Sequence, residues 1–152
     1  MTRDEAIALL DARDPLGAAA GITPVRDIMW SNADPAAGAE VVRYGAGTTH
    51  DQVADRLLEL AARDDVQAVA LVPGDDADDR PGSWGVEDLL VTAVARRVLP
   101  EGVAIRNDWQ RIGGPACQAA IAFGATEWCV PADDPACIDN LAQALGARAV
   151  QR

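Results

Sequence analysis

Gln67-Ala68-Val69-Ala70-Leu71-Val72-Pro73-Gly74 is the stretch that decides the fold class. Residues 68–72 are apolar without interruption, and a Pro-Gly pair stops them. A strand with one wet face would alternate apolar and polar residues. A continuous apolar run instead suits a parallel sheet buried on both faces.

Outward from this strand, the same strand–helix unit recurs. On the N-terminal side, Glu40–Tyr44 reads as a short strand and Gly45-Ala46-Gly47 as a turn. Thr49 and Gln52 have the spacing of a capping box, and Val53, Leu57, Leu60 and Ala61 share one helical face. On the C-terminal side, Val86, Leu89, Leu90, Ala93, Val94 and Leu99 mark a second helix, and Val103–Ile105 a third strand. Gly114-Pro115 opens a third, alanine-rich helix that Gly124 ends. Thr126–Val130 is a fourth strand, and Asp134-Pro135 starts a helix with Ile138, Leu141 and Leu145 on one face. This alternation predicts an α/β fold with a four-stranded parallel sheet. Its units are too few to close an eight-unit barrel.

Before this regular part, Thr2 and Glu5 repeat the capping-box spacing, which predicts a helix over Arg3–Ala12. Residues 13–38, rich in Ala, Gly, Pro and Asp, read as loop with Trp30 as its anchor. The expected organisation is an N-terminal helix and covering loop (1–38) followed by the strand–helix domain (39–152).

The 152 residues carry 13 arginines, no lysine and 24 acidic residues, a net charge of −11. Such a surface repels nucleic acid and anionic membranes, so neither is an expected partner. No apolar run approaches the roughly 20 residues of a membrane span. The N-terminus leads into an amphipathic helix rather than a signal sequence, so a cytoplasmic location is expected. Cys117, Cys129 and Cys137 have no metal-site spacing and read as reduced, mostly buried thiols.

In a parallel sheet the βα turns collect at one end, where α/β proteins carry their sites. That end gathers Thr48, Thr49, His50, residues 75–80, Arg106–Arg111 and residues 131–134. His50, the only histidine, is an acid–base candidate; the plain alternative is an exposed first-turn residue. Asp75, Asp76, Asp78 and Asp79 could ligate a cation, but the run lacks the EF-hand pattern and reads as a solvated loop. No metal is expected. Gly113-Gly114-Pro115 suits either a phosphate at a helix start or a tight turn. Arg106, Asn107, Trp109 and Arg111 form the most informative cluster: guanidinium for carboxylate or phosphate, indole for stacking. The alternative is a surface loop with a buried Trp.

Several segments resemble one family in register. These are Gly85-Val86-Glu87-Asp88-Leu89-Leu90, Ala93-Val94-Ala95-Arg96, Ile105 to Gly113, Gln118-Ala119-Ala120 and Phe123-Gly124-Ala125. They are similar to the radical-SAM enzymes of menaquinone biosynthesis by the futalosine route, aminofutalosine synthase and dehypoxanthine futalosine cyclase; the FO synthases are more distant relatives. Tyr44-Gly45, Thr49, Leu57 to Leu60 and Val72-Pro73 extend the resemblance upstream, and Leu141 to Arg152 looks like the family's final helix and tail. The resemblance covers residues 39–152 and implies the second half of a barrel, a (βα)4 half-barrel or open sheet. The family's other half holds the Cys-x-x-x-Cys-x-x-Cys motif that binds an iron–sulfur cluster. Here the cysteines stand 12 and 8 residues apart and cannot replace it, so no cofactor is expected. Trp109 and Gly113 match the family, whereas Thr48 replaces a glutamate, Val130-Pro131 replaces Gly-Thr, and Glu127 matches an aspartate only in charge.

The resemblance therefore implies a degenerate, non-catalytic half-barrel. It would bind a small molecule through Thr48, Thr49, Arg106, Asn107, Trp109 and Arg111, or assist a cluster-bearing homologue. Two other readings stand beside it: a small enzyme using His50, Asp108 and Glu127 as acid–base groups, and a fragmentary radical-SAM enzyme. Two open sheet edges predict a homo-oligomer, with residues 1–38 covering one edge.

Overall fold

The computed structural model describes residues 1–74, 85–131 and 135–152. Its elements are α1 (Arg3–Ala12), α2 (Pro15–Ala18), β1 (Asp27–Ser31), β2 (Glu40–Tyr44), α3 (His50–Ala61), β3 (Ala68–Pro73), α4 (Val86–Val98), β4 (Ala104–Asp108), α5 (Trp109–Ile112), α6 (Gly114–Ala120), β5 (Glu127–Cys129), α7 (Pro135–Ala144) and β6 (Arg148–Gln151). Thr2 caps α1 and the Thr49–Gln52 capping box starts α3, as their spacing implies. The N-cap expected at Asp134 lies outside the described residues.

The strands form one parallel sheet in the order β2-β3-β4-β5-β1-β6. The α/β class and parallel sheet hold, but the sheet has six strands, not four. One added strand, β1, comes from the stretch read as loop. It lies between β5 and β6, so this N-terminal segment supplies an interior strand rather than an edge cover. The other, β6, comes from the tail that follows the last helix, where no strand was expected. The helix stops because Gly146 takes the left-handed conformation (φ 74°), and the chain turns back to pair with β1.

Register shows how the two faces of the sheet differ. Val42, Leu71, Asn107, Trp128 and Trp30 fall in one cross-strand row. With Tyr44, Val69, Ile105 and Ile28 they face the helices. Two apolar clusters fill that layer. One joins β2 and β3 to α1, α3 and α4; the other joins β1 and β5 to α6 and α7. The opposite row is Val41, Ala70, Arg106, Glu127, Met29 and Val150. No described helix contributes to it. Among the described residues, irregular chain covers part of that second side.

That cover includes the β1–β2 link, residues 32–39. Its ends lie four strand spacings apart across the sheet, roughly 19 Å, and at opposite ends of the parallel strands, so the true span is longer. A helix of that length would rise only ~12 Å, whereas extended chain reaches about 26 Å or more. The link accordingly runs as an irregular strap. The Arg106 guanidinium, on the helix-free face, donates to the Pro35 carbonyl at 2.7 Å and the Ala37 carbonyl at 2.8 Å.

Trp109 packs edge-on against Trp128, with ring centroids 5.2 Å apart, and its indole lies over Gly114. A Cβ on Gly114 would stand 2.6 Å from the indole. Gly114→Ala should therefore destabilise the fold by about 1–3 kcal/mol through overpacking. Urea unfolding followed by tryptophan fluorescence checks this; an unchanged midpoint would show that the indole yields freely.

Candidate functional site

The predicted site residues divide between the two sides of the sheet. Strand alternation explains why: Asn107 points into the helical layer, while Arg106 and Asp108 point to the strap side. These three residues, read as part of a βα turn, are the last three of β4.

Glu127 Oε2 accepts from Arg106 Nε at 2.9 Å, and Glu127 Oε1 pairs with Arg152 Nη2 at 2.8 Å. Arg106 and Glu127 are buried; with the two strap carbonyls they make a closed polar network. Asp108 caps α5 by accepting from the Gln110 N–H at 3.0 Å, and Arg111 Nε lies 3.3 Å away. Burial raises the Asp108 pKa above the usual carboxylate range, against the pull of the Gln110 N–H and Arg111; Asp34 on the strap adds to the rise. Cys129 lies on the same face, and burial pushes its thiol up to about 11 despite nearby Arg106. Burial raises the Cys117 thiol as well. Neither is an activated nucleophile. Cys137 is exposed, and all three cysteines are free.

His50 lies on the helical side, away from Asp108 and Glu127. Its Nδ1 is 2.7 Å from Asp11 of α1 and its Nε2 is 3.1 Å from Glu87 of α4. The ring is 20% exposed rather than open to solvent, because α1 and α4 close over the start of α3. Burial works to lower its pKa, but the two carboxylates outweigh it and the net shift is upward.

Thr49 is taken up by the capping box. Thr48 is half-buried in the β2–α3 turn. Trp109 is half-buried and packs against the second apolar cluster. Asn107 donates to Thr92 Oγ1 at 3.3 Å, and its buried Oδ1 has no partner among the described residues. Arg111 reaches the Pro73 carbonyl and keeps its side chain 42% exposed. At Gly113-Gly114-Pro115 the turn into α6 brings the Trp109 indole against Gly114. The acidic run 75–79 lies outside the described residues. Among the described residues, no group of His, Cys, Asp and Glu is arranged to hold a metal ion, and no helix is long and apolar enough to cross a membrane.

The partners Arg152, Asp34, Asp11 and Glu87 escaped the sequence reading. One signal was available for the buried pair: Arg106 and Glu127 are opposite charges on successive strands, each beside an apolar residue. Comparison with protein-family models, with curated proteins and with solved structures gave no match for this chain.

Glu127→Leu removes one partner and leaves Arg106 buried, which should cost about 3–5 kcal/mol in urea unfolding. A loss under 1 kcal/mol, the range of an exposed pair, would mean that the guanidinium finds water instead. The His50 clamp has the opposite pH sense to a carboxylate. A raised folded pKa gives stability that is complete below about 6.5 and is lost as pH rises through the folded value. The gap in Tm between the native chain and His50→Gln should be widest near pH ~6 and close on the alkaline side; a gap that widens with pH would contradict the clamp.

Proposed function

We propose that this chain is a non-catalytic, small-molecule-binding or accessory protein of radical-SAM-like ancestry, a half-barrel remnant acting beside a cluster-bearing homologue in menaquinone biosynthesis. The carrying observation is that each acid–base candidate already holds an internal partner. His50 faces Asp11 and Glu87, Glu127 faces Arg106 and Arg152, and Asp108 caps α5 beside Arg111. A general base needs a lone pair within reach of its substrate, and an internal partner competes for it. The pathway link rests on the sequence resemblance over residues 39–152.

Binding rather than turnover also suits the rim at the C-terminal strand ends. There Thr48 is half-buried, and the Arg111 side chain is partly exposed while it pairs with Asp108 and donates to the Pro73 carbonyl. Such donors fit a small carboxylate or phosphate ligand.

Anaerobic reconstitution with iron and sulfide tests the reading. The expected protein lacks the visible charge-transfer absorption of an iron–sulfur cluster and does not cleave SAM. A cluster band accompanied by SAM cleavage would overturn the proposal and favour a fragmentary enzyme.

A further inference from the structure

We infer that two copies of this chain join through their β6 edges into one continuous sheet. The two edges of the sheet are built differently. At β2, the outward Val41 carbonyl accepts Arg56 Nε at 3.2 Å, and Arg56 also pairs with Glu40. Glu40 and Arg43 charge the strand itself, and α3 beside it carries Asp51, Asp55, Arg56 and Glu59. Charged, capped edges of this kind resist pairing.

The β6 edge carries charge only at its ends, Arg148 and Arg152, and among the described residues no side chain bonds its outward backbone groups. The Arg148 N–H donates to the Arg26 carbonyl at 2.7 Å and the Arg152 N–H to the Trp30 carbonyl at 2.9 Å. Even-numbered residues thus turn their backbone groups toward β1. In a parallel ladder the alternate residues turn the other way, so Ala149 and Gln151 point their N–H and C=O groups off the sheet. Residues 149–151 carry no charge, and Val150 is half-buried. Helix α7, which packs on β6, has one charged residue, Asp139, in ten. Leu145, just after it, is 45% exposed. In a chain with net charge −11, this is a charge-poor flank, as interface cores are.

The edge is self-complementary. Antiparallel pairing about a twofold axis at Val150 sets Ala149 against the second copy's Gln151, and Gln151 against its Ala149. Both outward groups of each residue are then bonded, and Val150 meets its own mate. Arg148 falls opposite Arg152 of the second copy, but each already has a carboxylate: Arg148 pairs with Asp27 and Arg152 with Glu127. Like charges are therefore not left facing each other unpaired. A stable interface needs on the order of 1,000 Å² of buried surface, more than a short strand supplies. The α7 flanks, brought to the same side of the joined sheet, add the remainder. The inference stands independently of the binding role proposed above.

Sedimentation equilibrium of the full chain should show a dimer. Ala149→Pro removes one outward N–H while leaving the β1 ladder in place, and should weaken the dimer about tenfold or more with an unchanged far-ultraviolet circular dichroism spectrum. With Cys137→Ser as background, Val150→Cys should oxidise to an intermolecular disulfide. Cα atoms across a non-hydrogen-bonded antiparallel pair lie about 4.5 Å apart, within disulfide reach. A chain that stays monomeric at its highest soluble concentration overturns the inference. So does a dimer indifferent to Ala149→Pro, or one in which Val150→Cys does not cross-link.

Discussion

The ion pair between Arg106 and Glu127 is the interaction on which the strap side of the sheet depends. A buried charge pair is expensive to desolvate, and it persists only where the remaining donors and acceptors are also met. Here they are. Arg106 holds Glu127 and two strap carbonyls, and Glu127 also holds Arg152. Four separate segments, β4, β5, the strap and the C-terminal residues, meet at one point. An apolar pair in the same place would fill the volume but would leave the strap carbonyls without a donor. Its value is therefore more a matter of specifying the strap's path than of net stability.

That path determines the topology. β1 sits between β5 and β6, while β2 begins at the far edge. A helical crossover would need far more chain than residues 32–39 offer, so the link must cross the sheet directly. A direct crossing puts backbone carbonyls over the interior of a face, where each needs a donor. Arg106 provides two such bonds from one side chain.

The sequence made the middle of the fold legible because periodicity is strongest there. Val53, Leu57 and Leu60 on α3 and the apolar run of β3 each satisfy their period without ambiguity, and the caps at Thr2 and Thr49 mark helix starts. β1 and β6 were hidden for a common reason. Asp27-Ile28-Met29-Trp30-Ser31 has polar ends, Arg148-Ala149-Val150-Gln151 has only two apolar residues, and both pair with strands distant in sequence. Local pattern carries no information about such partners. The candidate site was legible as a position, the C-terminal ends of the strands, but not as an assembly. Successive residues on a strand point to opposite faces, so Arg106-Asn107-Asp108 could never act as one cluster. His50 shows a related limit: a helix start near the functional end can still turn its side chain outward into a helix–helix seam.

A parallel sheet with helices on one side must dispose of the other. A closed barrel does so by curling until that face becomes an interior. An open sheet of six strands has no such closure, and among the described residues this chain lays its 32–39 strap on that face, held there by Arg106. The same residues then cannot serve two ends. Glu127 is available to a ligand only if it leaves Arg106, and Arg106 only if it releases the strap. Any chemistry on that face would first have to undo the contacts that keep it covered.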